Sequence, residues 1–401
     1  MSRTSPFVSV PQAPPDPILG LTEAFQADTN PHKVNLGVGV YQDGNGRVPI
    51  LRAVAKAQER WIRAEDTKTY LPIDGLRSYN TEVQRLILGD AGGAVESGRA
   101  VTLQTLGGTG ALRIGAEFLA RFHTGRPVYL SAPSWENHKA IFEAAGHDVR
   151  QYAYYDPAAH GLDYAAMRAD LESAPEGSVA LLHACCHNPT GVDPSLEQWR
   201  DLLGVCQSRG LFPFFDFAYQ GLGSGLDEDA APVRMFVEQG QPCLIANSFS
   251  KSLSLYRERV GGLTAVTGSS DEAARALSQL KRVVRVNVSN PPSFGAQVAS
   301  IVLSDPDLSA EWRSELEGMR LRIWRMRERF AEALKERNAP RDFSFIRRQK
   351  GMFSFLGLSV EAVHRLRSEF SIYAVDSSRV CVAAMNEGNL ERICDAVLAV
   401  L

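Results

Sequence analysis

Lys251 closes the polar run Asn247-Ser248-Phe249-Ser250-Lys251, directly after the apolar stretch Cys243-Leu244-Ile245-Ala246. A short apolar run reads as a buried strand, and a lysine at its exit stands at the carboxyl edge of a sheet, where α/β folds keep their ligands. An amine held there, partly desolvated or near other cations, loses proton affinity and can attack a carbonyl to form a Schiff base. Arg257 and Arg259 are available to supply the positive field. A solvated lysine at a helix start is the plain alternative, so the weight falls on the company Lys251 keeps.

Four further clusters supply that company. In Leu106-Gly107-Gly108-Thr109-Gly110-Ala111 a glycine-rich turn leaves a strand and opens a helix, so backbone amides, a helix terminus and the Thr109 hydroxyl could cradle a phosphate; a purely structural turn has the same pattern. Asp216 ends the apolar run Phe214-Phe215 in Phe214-Phe215-Asp216-Phe217-Ala218-Tyr219. A buried carboxylate needs a cation, a proton or a cap, and a pyridinium nitrogen, an internal arginine or a helix end would each serve. His187-Asn188-Pro189-Thr190-Gly191 places an amide donor, Asn188, in a rigid turn after another apolar strand, suited to a phenolate oxygen. In Ser134-Trp135-Glu136-Asn137-His138, Trp135 could stack on a planar ring and His138 could bond a carboxylate behind it; a core tryptophan with a surface histidine is the bland reading.

These clusters need a scaffold that gathers strand ends. Apolar runs at Val101–Leu106, Pro127–Ser131, Val149–Ala153, Val179–Ala184, Leu211–Phe215 and Cys243–Ala246 alternate with helical patterns at Ala111–Phe122, Glu136–Ala145, Leu196–Arg209 and Asp271–Val283. Such alternation predicts an α/β fold with a mostly parallel sheet between helices. From Leu308 to Arg337 a long charged amphipathic helix follows, then short strands near Phe343–Ile346, Met352–Phe355 and Arg379–Val382 and a last helix, Leu390–Val400, which together read as a smaller α+β unit. The proline-rich Pro11–Pro17 stretch cannot be helical throughout and suits an extended arm.

Composition narrows the function. A chain of 401 residues with 44% hydrophobic and 22% charged residues is that of a soluble globular protein, and a net charge of -3 argues against a general nucleic-acid or anionic-membrane binder. The best basic patch, Lys281-Arg282 with Arg285, is too small for that role. With no membrane-length apolar run and no signal-like start, a cytoplasmic location is expected. The six cysteines form no C-x-x-C pair and read as buried apolar residues in a reducing compartment. Cys185-Cys186 beside His183 and His187 invites a metal reading, but neighbours on a strand point to opposite faces, and no metal is expected.

A phosphate cradle, a stacking face, a ring-nitrogen partner, a ring-oxygen donor and a Schiff-base lysine are the set that pyridoxal 5′-phosphate requires. With His187-Asn188-Pro189-Thr190-Gly191, Asp216-Phe217-Ala218-Tyr219-Gln220-Gly221, Ser248-Phe249-Ser250-Lys251 and Glu258-Arg259-Val260-Gly261-Gly262 in one chain, the sequence resembles the class I aminotransferases of the aspartate/aromatic branch, fold type I among pyridoxal-phosphate enzymes. The likeness runs from Pro15-Asp16-Pro17-Ile18-Leu19 to the final helix. It implies a large cofactor-binding domain over 50–318, with 1–49 and 319–401 forming an N-terminal arm and a smaller α+β domain.

The resemblance also implies roles. Lys251 would form the Schiff base with the cofactor and then carry the proton between substrate and cofactor, as nucleophile and general base in turn. Asp216 would keep the ring nitrogen protonated, and Asn188 and Tyr219 would bond the ring oxygen. Gly108, Thr109, Ser248 and Arg259 would hold the phosphate, Trp135 would stack on the ring, and His138 would stand behind Asp216. Tyr70 would reach the phosphate from a neighbouring subunit, so a homodimer with shared sites is implied. Arg379 would clamp the substrate α-carboxylate, Gly39, Trp135, Asn188 and Phe353 would line the substrate pocket, and Arg285 would cross the dimer to a second carboxylate.

Leu71-Pro72-Ile73-Asp74-Gly75, Gln104-Thr105-Leu106, Trp135-Glu136-Asn137-His138 and Ser254-Leu255-Tyr256 look more like aromatic aminotransferases, whereas Thr109 and Asn290 are closer to aspartate enzymes. The expected donors are phenylalanine and tyrosine, with aspartate and glutamate also accepted; aspartate as main substrate is the alternative. Val288 stands where relatives commonly have tyrosine, and Asp376 and Ser378 replace small residues before Arg379, so an inward Asp376 would weaken that arginine's grip. A β-lyase of the same fold type would have no use for Arg285, and a non-catalytic pyridoxal-phosphate regulator would not need every catalytic position filled.

Overall fold

The computed structural model describes residues 5–13 and 19–401. Most of the proline-rich stretch, 14–17, and the Pro15–Ile18 part of the family match lie outside the described residues, while 11–13 are exposed and without regular structure. The centre is a seven-stranded sheet of β1 (Ala100–Leu106), β2 (Val128–Ala132), β3 (Val149–Ala153), β4 (Val179–His183), β5 (Phe212–Phe217), β6 (Cys243–Ser248) and β7 (Val260–Val266). Their spatial order is β1-β7-β6-β5-β4-β2-β3, parallel throughout except for β7, which runs antiparallel to both neighbours. The α/β expectation is met.

β7 is the strand that the sequence pattern does not announce. Its Gly261-Gly262 pair lowers strand propensity, yet both positions need glycine, because a Cβ on Gly261 would sit 2.5 Å from the Gly107 carbonyl carbon and one on Gly262 would sit 2.6 Å from Asn247 Oδ1. Antiparallel direction has a consequence for function. The start of β7, and so Arg259, lies at the same edge as the carboxyl ends of β1 and β6, in register Val260 with Leu106 and Gly261 with Ser248.

Other boundaries shift for identifiable reasons. β5 and β6 extend two residues beyond the expected runs, because Asp216 pairs with His183 and Ala246 within the ladder and Ser248 pairs with Gly261. The helix after β1, α1 (Gly107–Phe122), begins at Gly107 rather than Ala111. The expected strand at Phe343–Ile346 is instead a 3₁₀ turn, Ser344–Arg348, since the Asp342 carboxylate accepts from the Ser344 backbone N–H at 2.8 Å and bends the chain. Cys185 and Cys186 sit past the end of β4 in a bend where Cys186 has φ 52°, so they are not alternating strand residues. Their thiols converge on Asp229, whose carboxylate accepts from the backbone N–H groups of Gly221, Gly223 and Ser224.

The second layer of the fold begins with α2 (Ser270–Asn287) and the 31-residue α3 (Pro306–Glu336), which opens with Asp305 capping the Leu308 N–H and proline at its first turn. Short strands Phe353–Phe355 and Arg379–Cys381 pair antiparallel. Val34–Asn35 pairs in parallel with Ile372–Tyr373, so the chain's early and late segments are joined by backbone hydrogen bonds. Among the described residues no helix is long and apolar enough to cross a membrane.

α1 packs close to the sheet at Gly115, where an added Cβ would lie 2.4 Å from the Phe214 ring. Alanine ordinarily improves a helix interior by roughly 0.5–1 kcal/mol. Here Gly115→Ala is expected instead to destabilise by about 1–3 kcal/mol through overpacking, read as a lower urea midpoint; a raised midpoint would contradict this close approach.

Candidate active site

Five strand ends converge on one cavity of about 920 Å³. β1 delivers Gly108 and Thr109, β2 Trp135, β4 Asn188, β5 Asp216 and Tyr219, and β6 Ser248 and Lys251, with Arg259 from the start of β7. Gly39, Phe353 and Arg379 line it from the early and late segments. Of the residues singled out from sequence, Tyr70, Arg285 and His138 do not line this cavity. His138 is fully buried behind Asp216, Tyr70 is 90% exposed, and Arg285 lies exposed near the end of α2, bonded to the Ser289 hydroxyl.

Lys251 occupies a turn stiffened from both sides. The Phe249 N–H donates to the Val260 carbonyl, and the indole N–H of Trp312, on α3, donates to the Ser252 carbonyl at 2.7 Å. The Lys251 Nζ stands 4.8 Å from the centre of the Tyr219 ring. Burial pulls its pKa down to about 8, reinforced by the charges of Arg259 and Arg379 and opposed by Asp216. The sequence expectation named Arg257 beside Arg259; the second cation is Arg379, brought in by tertiary structure, while Arg257 points to solvent.

Behind the cavity Asp216 is buried, with Oδ2 2.8 Å from His138 Nε2, while His138 Nδ1 lies 2.9 Å from the Ser134 hydroxyl. Burial would raise this carboxyl, but the hydrogen bond and charge of His138, with the charge of Lys251, carry it below the ordinary carboxylate range. Ionised, it only accepts, so the His138 ring donates from Nε2. The Asn188 loop is held by Asp193, which accepts from the Cys186 and His187 backbone N–H groups at 2.8 Å each. Asn188 turns Oδ1 toward Arg379, accepting from Nη1 at 3.0 Å, and leaves Nδ2 only a long 3.5 Å contact to the Tyr219 hydroxyl. Burial raises the Tyr219 phenol well above its ordinary range, with Asp216 adding to the effect.

The phosphate corner passes a test of fit. α1 starts at Gly107 with no side chain capping its amides, Gly107 has φ 67°, and a Cβ on Gly108 would press to 3.2 Å from Ser248 Cβ. Arg259 donates to the Ser250 hydroxyl and the Tyr256 carbonyl and, among the described residues, pairs with no carboxylate. An uncapped helix start, three hydroxyls and an uncompensated guanidinium form an anion site. Together with the ionised carboxylate of Asp216 and the amine of Lys251, the donor set suits pyridoxal 5′-phosphate.

At the opposite end Arg379 is buried, donating to Asn188 Oδ1 and, at 2.8 Å, to the Gly37 carbonyl. Its guanidinium lies 4.4 Å from the Phe353 ring centre. Asp376 faces away, paired with Arg367 at 2.7 Å and His364 at 3.4 Å, so the feared weakening of Arg379 from that side does not arise. The carboxylate near Arg379 is Glu136, at 3.9 Å. Sequence reasoning missed Ser250 and Tyr256 as lining residues. Both stood inside quoted motifs, but the place of Tyr256 is fixed by a long-range bond, its hydroxyl accepting from the Tyr41 N–H at 2.8 Å.

A family model described as "Aminotransferase class I and II" matches residues 31–397. The chain belongs to the class I aminotransferases. It is 53% identical to an aspartate aminotransferase of Pseudomonas aeruginosa, over 98% of this chain and 99% of that one, and 49% identical to the aspartate aminotransferase of Escherichia coli, over 98% and 100%. Among solved structures it is similar to the aromatic-amino-acid aminotransferase of Burkholderia pseudomallei, covalently bound to pyridoxal phosphate, with TM-score 0.97 and 51% identity over 99% of this chain and 100% of that one. The family's cofactor is pyridoxal 5′-phosphate, and the reaction is transfer of an amino group between an amino acid and a 2-oxo acid.

The depressed pKa of Lys251 gives a direct test. The nucleophile is the neutral amine, which forms as pH rises through the pKa, so in cofactor-free protein the reaction of Lys251 with a small aldehyde should increase with a midpoint near pH 8. Trapping by borohydride and peptide mapping should find the adduct on Lys251 and lose it in Lys251→Ala; a midpoint above pH 10 would contradict the half-buried, cation-flanked placement.

Proposed function

We propose that this aminotransferase takes the amino group from phenylalanine and tyrosine, and also from aspartate and glutamate, and passes it to a 2-oxo acid such as 2-oxoglutarate in a ping-pong cycle. The observation that carries the reading is the contrast between the two ends of the cavity. Arg379 offers one forked carboxylate site, while Leu112, Trp135 and Ala140 offer apolar surface for a ring. Arg285, exposed outside its own cavity, is free to serve a neighbouring copy, where it would receive the second carboxylate of aspartate or glutamate. Aspartate as principal substrate is the second reading, favoured by the names of the two relatives above.

When bound, pyridoxal phosphate supplies an aldehyde for the lysine amine and a ring that withdraws electrons from the substrate α-carbon. The protein's own residues would do the rest. Arg379 and Asn188 would hold the α-carboxylate, and Lys251 Nζ, as a neutral amine, would take the proton from the substrate α-carbon and deliver it to the cofactor. Asp216, kept ionised by His138, would hold a positive charge at the ring nitrogen, and Asn188 Nδ2 and the Tyr219 hydroxyl would bond the ring oxygen. Trp135 would cover one ring face, Gly108, Thr109, Ser248 and Arg259 would grip the phosphate, and Gly39 and Phe353 would limit the space for substrate.

A homodimer with shared sites is part of the proposal, Tyr70 serving the phosphate and Arg285 the distal carboxylate of a second copy. Tyr70 has no role in its own cavity, and a hollow of about 380 Å³ lined by Thr109, Arg113, Arg259 and Val288 adjoins the phosphate corner, which supports the arrangement. The division into 50–318 and 1–49 with 319–401 is supported by the pairing of Val34–Asn35 with Ile372–Tyr373. A cytoplasmic setting is supported by six buried, unpaired cysteines.

Steady-state assays with phenylalanine, tyrosine and aspartate against 2-oxoglutarate test the substrate assignment. Aromatic kcat/KM is expected to equal or exceed that for aspartate; an aspartate preference above about tenfold, worth ~1.4 kcal/mol, would overturn it. Arg285→Leu should lower kcat/KM for aspartate by roughly 100-fold while phenylalanine changes less than about threefold, because only the dicarboxylate loses an ion pair.

A further inference from the structure

Arg327, on α3, is buried to 1% exposure and is among the largest fully buried side chains of the protein. No carboxylate among the described residues pairs with it. Its guanidinium instead donates to a single short turn: to the carbonyls of Lys350 at 3.2 Å, Gly351 at 2.7 Å and Phe353 at 2.5 Å, and to the Ser354 hydroxyl. Burial draws its pKa down to about 10, opposed by Cys186, Cys381 and Asp193, so the group stays charged at neutral pH. A buried charge without a counter-ion is costly, and the planar fork is suited to dividing that charge among several fixed carbonyls.

The turn it holds is also fastened on its other side. The Lys350 N–H donates to the Gly191 carbonyl at 2.6 Å, and Gly351, at φ 72°, lies so close to Cys186 that a Cβ would sit 2.4 Å from that residue's own. Both contacts fall on the loop that carries Asn188. What the turn presents to the cavity is the Phe353 ring, which meets Tyr219 edge-on at 6.0 Å, leaves no room for a Cβ on Gly39, and underlies the Arg379 guanidinium at 4.4 Å. A fixed ring beneath Arg379 limits where that arginine can swing.

We propose that Arg327 is a positioning residue for substrate carboxylates, fixing the 350–354 turn so that Phe353 holds Arg379 in place. The proposal rests on the reading of Arg379 as the carboxylate grip. Arg327 itself bonds to none of the residues assigned to the cofactor, and its turn reaches Asn188 and Tyr219 only indirectly, whereas it bears directly on the Phe353 ring beneath Arg379. Carboxylate affinity and cofactor binding therefore separate in a way that a general loss of stability would not produce.

The test measures succinate binding to the holoenzyme by calorimetry, alongside KM, kcat and the visible cofactor spectrum. Arg327→Lys keeps the charge but gathers its donors on one atom and cannot span four acceptors. It should weaken succinate and raise KM for both amino acid and 2-oxo acid by about tenfold, with kcat within about threefold and the spectrum unchanged. Ser354→Ala, a gentler removal of one acceptor, should weaken succinate by roughly two- to fourfold in a fully folded protein. In a Phe353→Leu background the Arg327→Lys effect should shrink to less than about twofold, since both act on Arg379 by one route. Unchanged succinate affinity in Arg327→Lys and Ser354→Ala, with Arg379→Lys strongly impaired, overturns the role of Arg327 alone. Unchanged affinity in Arg379→Lys as well overturns the carboxylate reading and this proposal with it. Full multiplication of the effects in the double variant also overturns the route through Phe353.

Discussion

An ionised carboxylate at the end of an apolar strand is the interaction around which this protein is arranged. Asp216 sits among buried phenylalanines on β5, and desolvation alone would drive it neutral. His138 reverses that, and its own orientation is fixed by Ser134. Beyond it lies a row of buried imidazoles: His183, 5.1 Å from His138, and His187, 4.3 Å from His183. Burial lowers His183 to about 3, so it stays uncharged, and both its ring nitrogens lack a partner. One negative charge is thus kept in a place that otherwise excludes charge, facing an amine whose own proton affinity has been reduced.

The backbone makes that opposition possible. Parallel strands deliver their side chains at one edge, but they cannot by themselves bring a cation to the same edge from the other chain direction. The single antiparallel strand, β7, does so, placing Arg259 beside the uncapped start of α1. Its glycines are the condition for this, since any side chain on Gly261 would occupy the Gly107 backbone. The far wall has a different origin. The early segment through Gly37 and Gly39 and the late one through Phe353 and Arg379 are stitched together by short strands and by the Cys381 N–H donating to the Leu36 carbonyl at 2.7 Å. The site therefore joins one rigid edge to a wall made of remote parts of the chain.

Much of this was legible in the sequence because the relevant groups are local. Six of the seven main strands are short apolar runs, and, Arg259 apart, the residues for phosphate, ring and amine occur at or just after their ends. β7 escaped notice because close backbone approach demanded glycines that weaken the strand pattern. Phe343–Ile346 looked like a strand because its apolar residues are consecutive, but Asp342 bends it into a turn. Asp376 looked threatening from its place near Arg379 in sequence; three residues along a chain that turns through Ser378 at φ 69° are enough to aim it at Arg367 and solvent instead.

The sequence by itself determined the chemistry: which strand ends carry an amine, a carboxylate, an amide and a phosphate cradle, since each depends on residue types a few positions apart. Only the tertiary structure decided how those groups are tuned. The depression of Lys251 comes from burial, with Arg259 and Arg379 adding to it, the ionisation of Asp216 draws on His138 from a helix after another strand, and the turn that carries Phe353 is bonded by Arg327 from the long helix. Proton affinity and orientation are set by distance and desolvation, and these exist only once the chain has closed on itself.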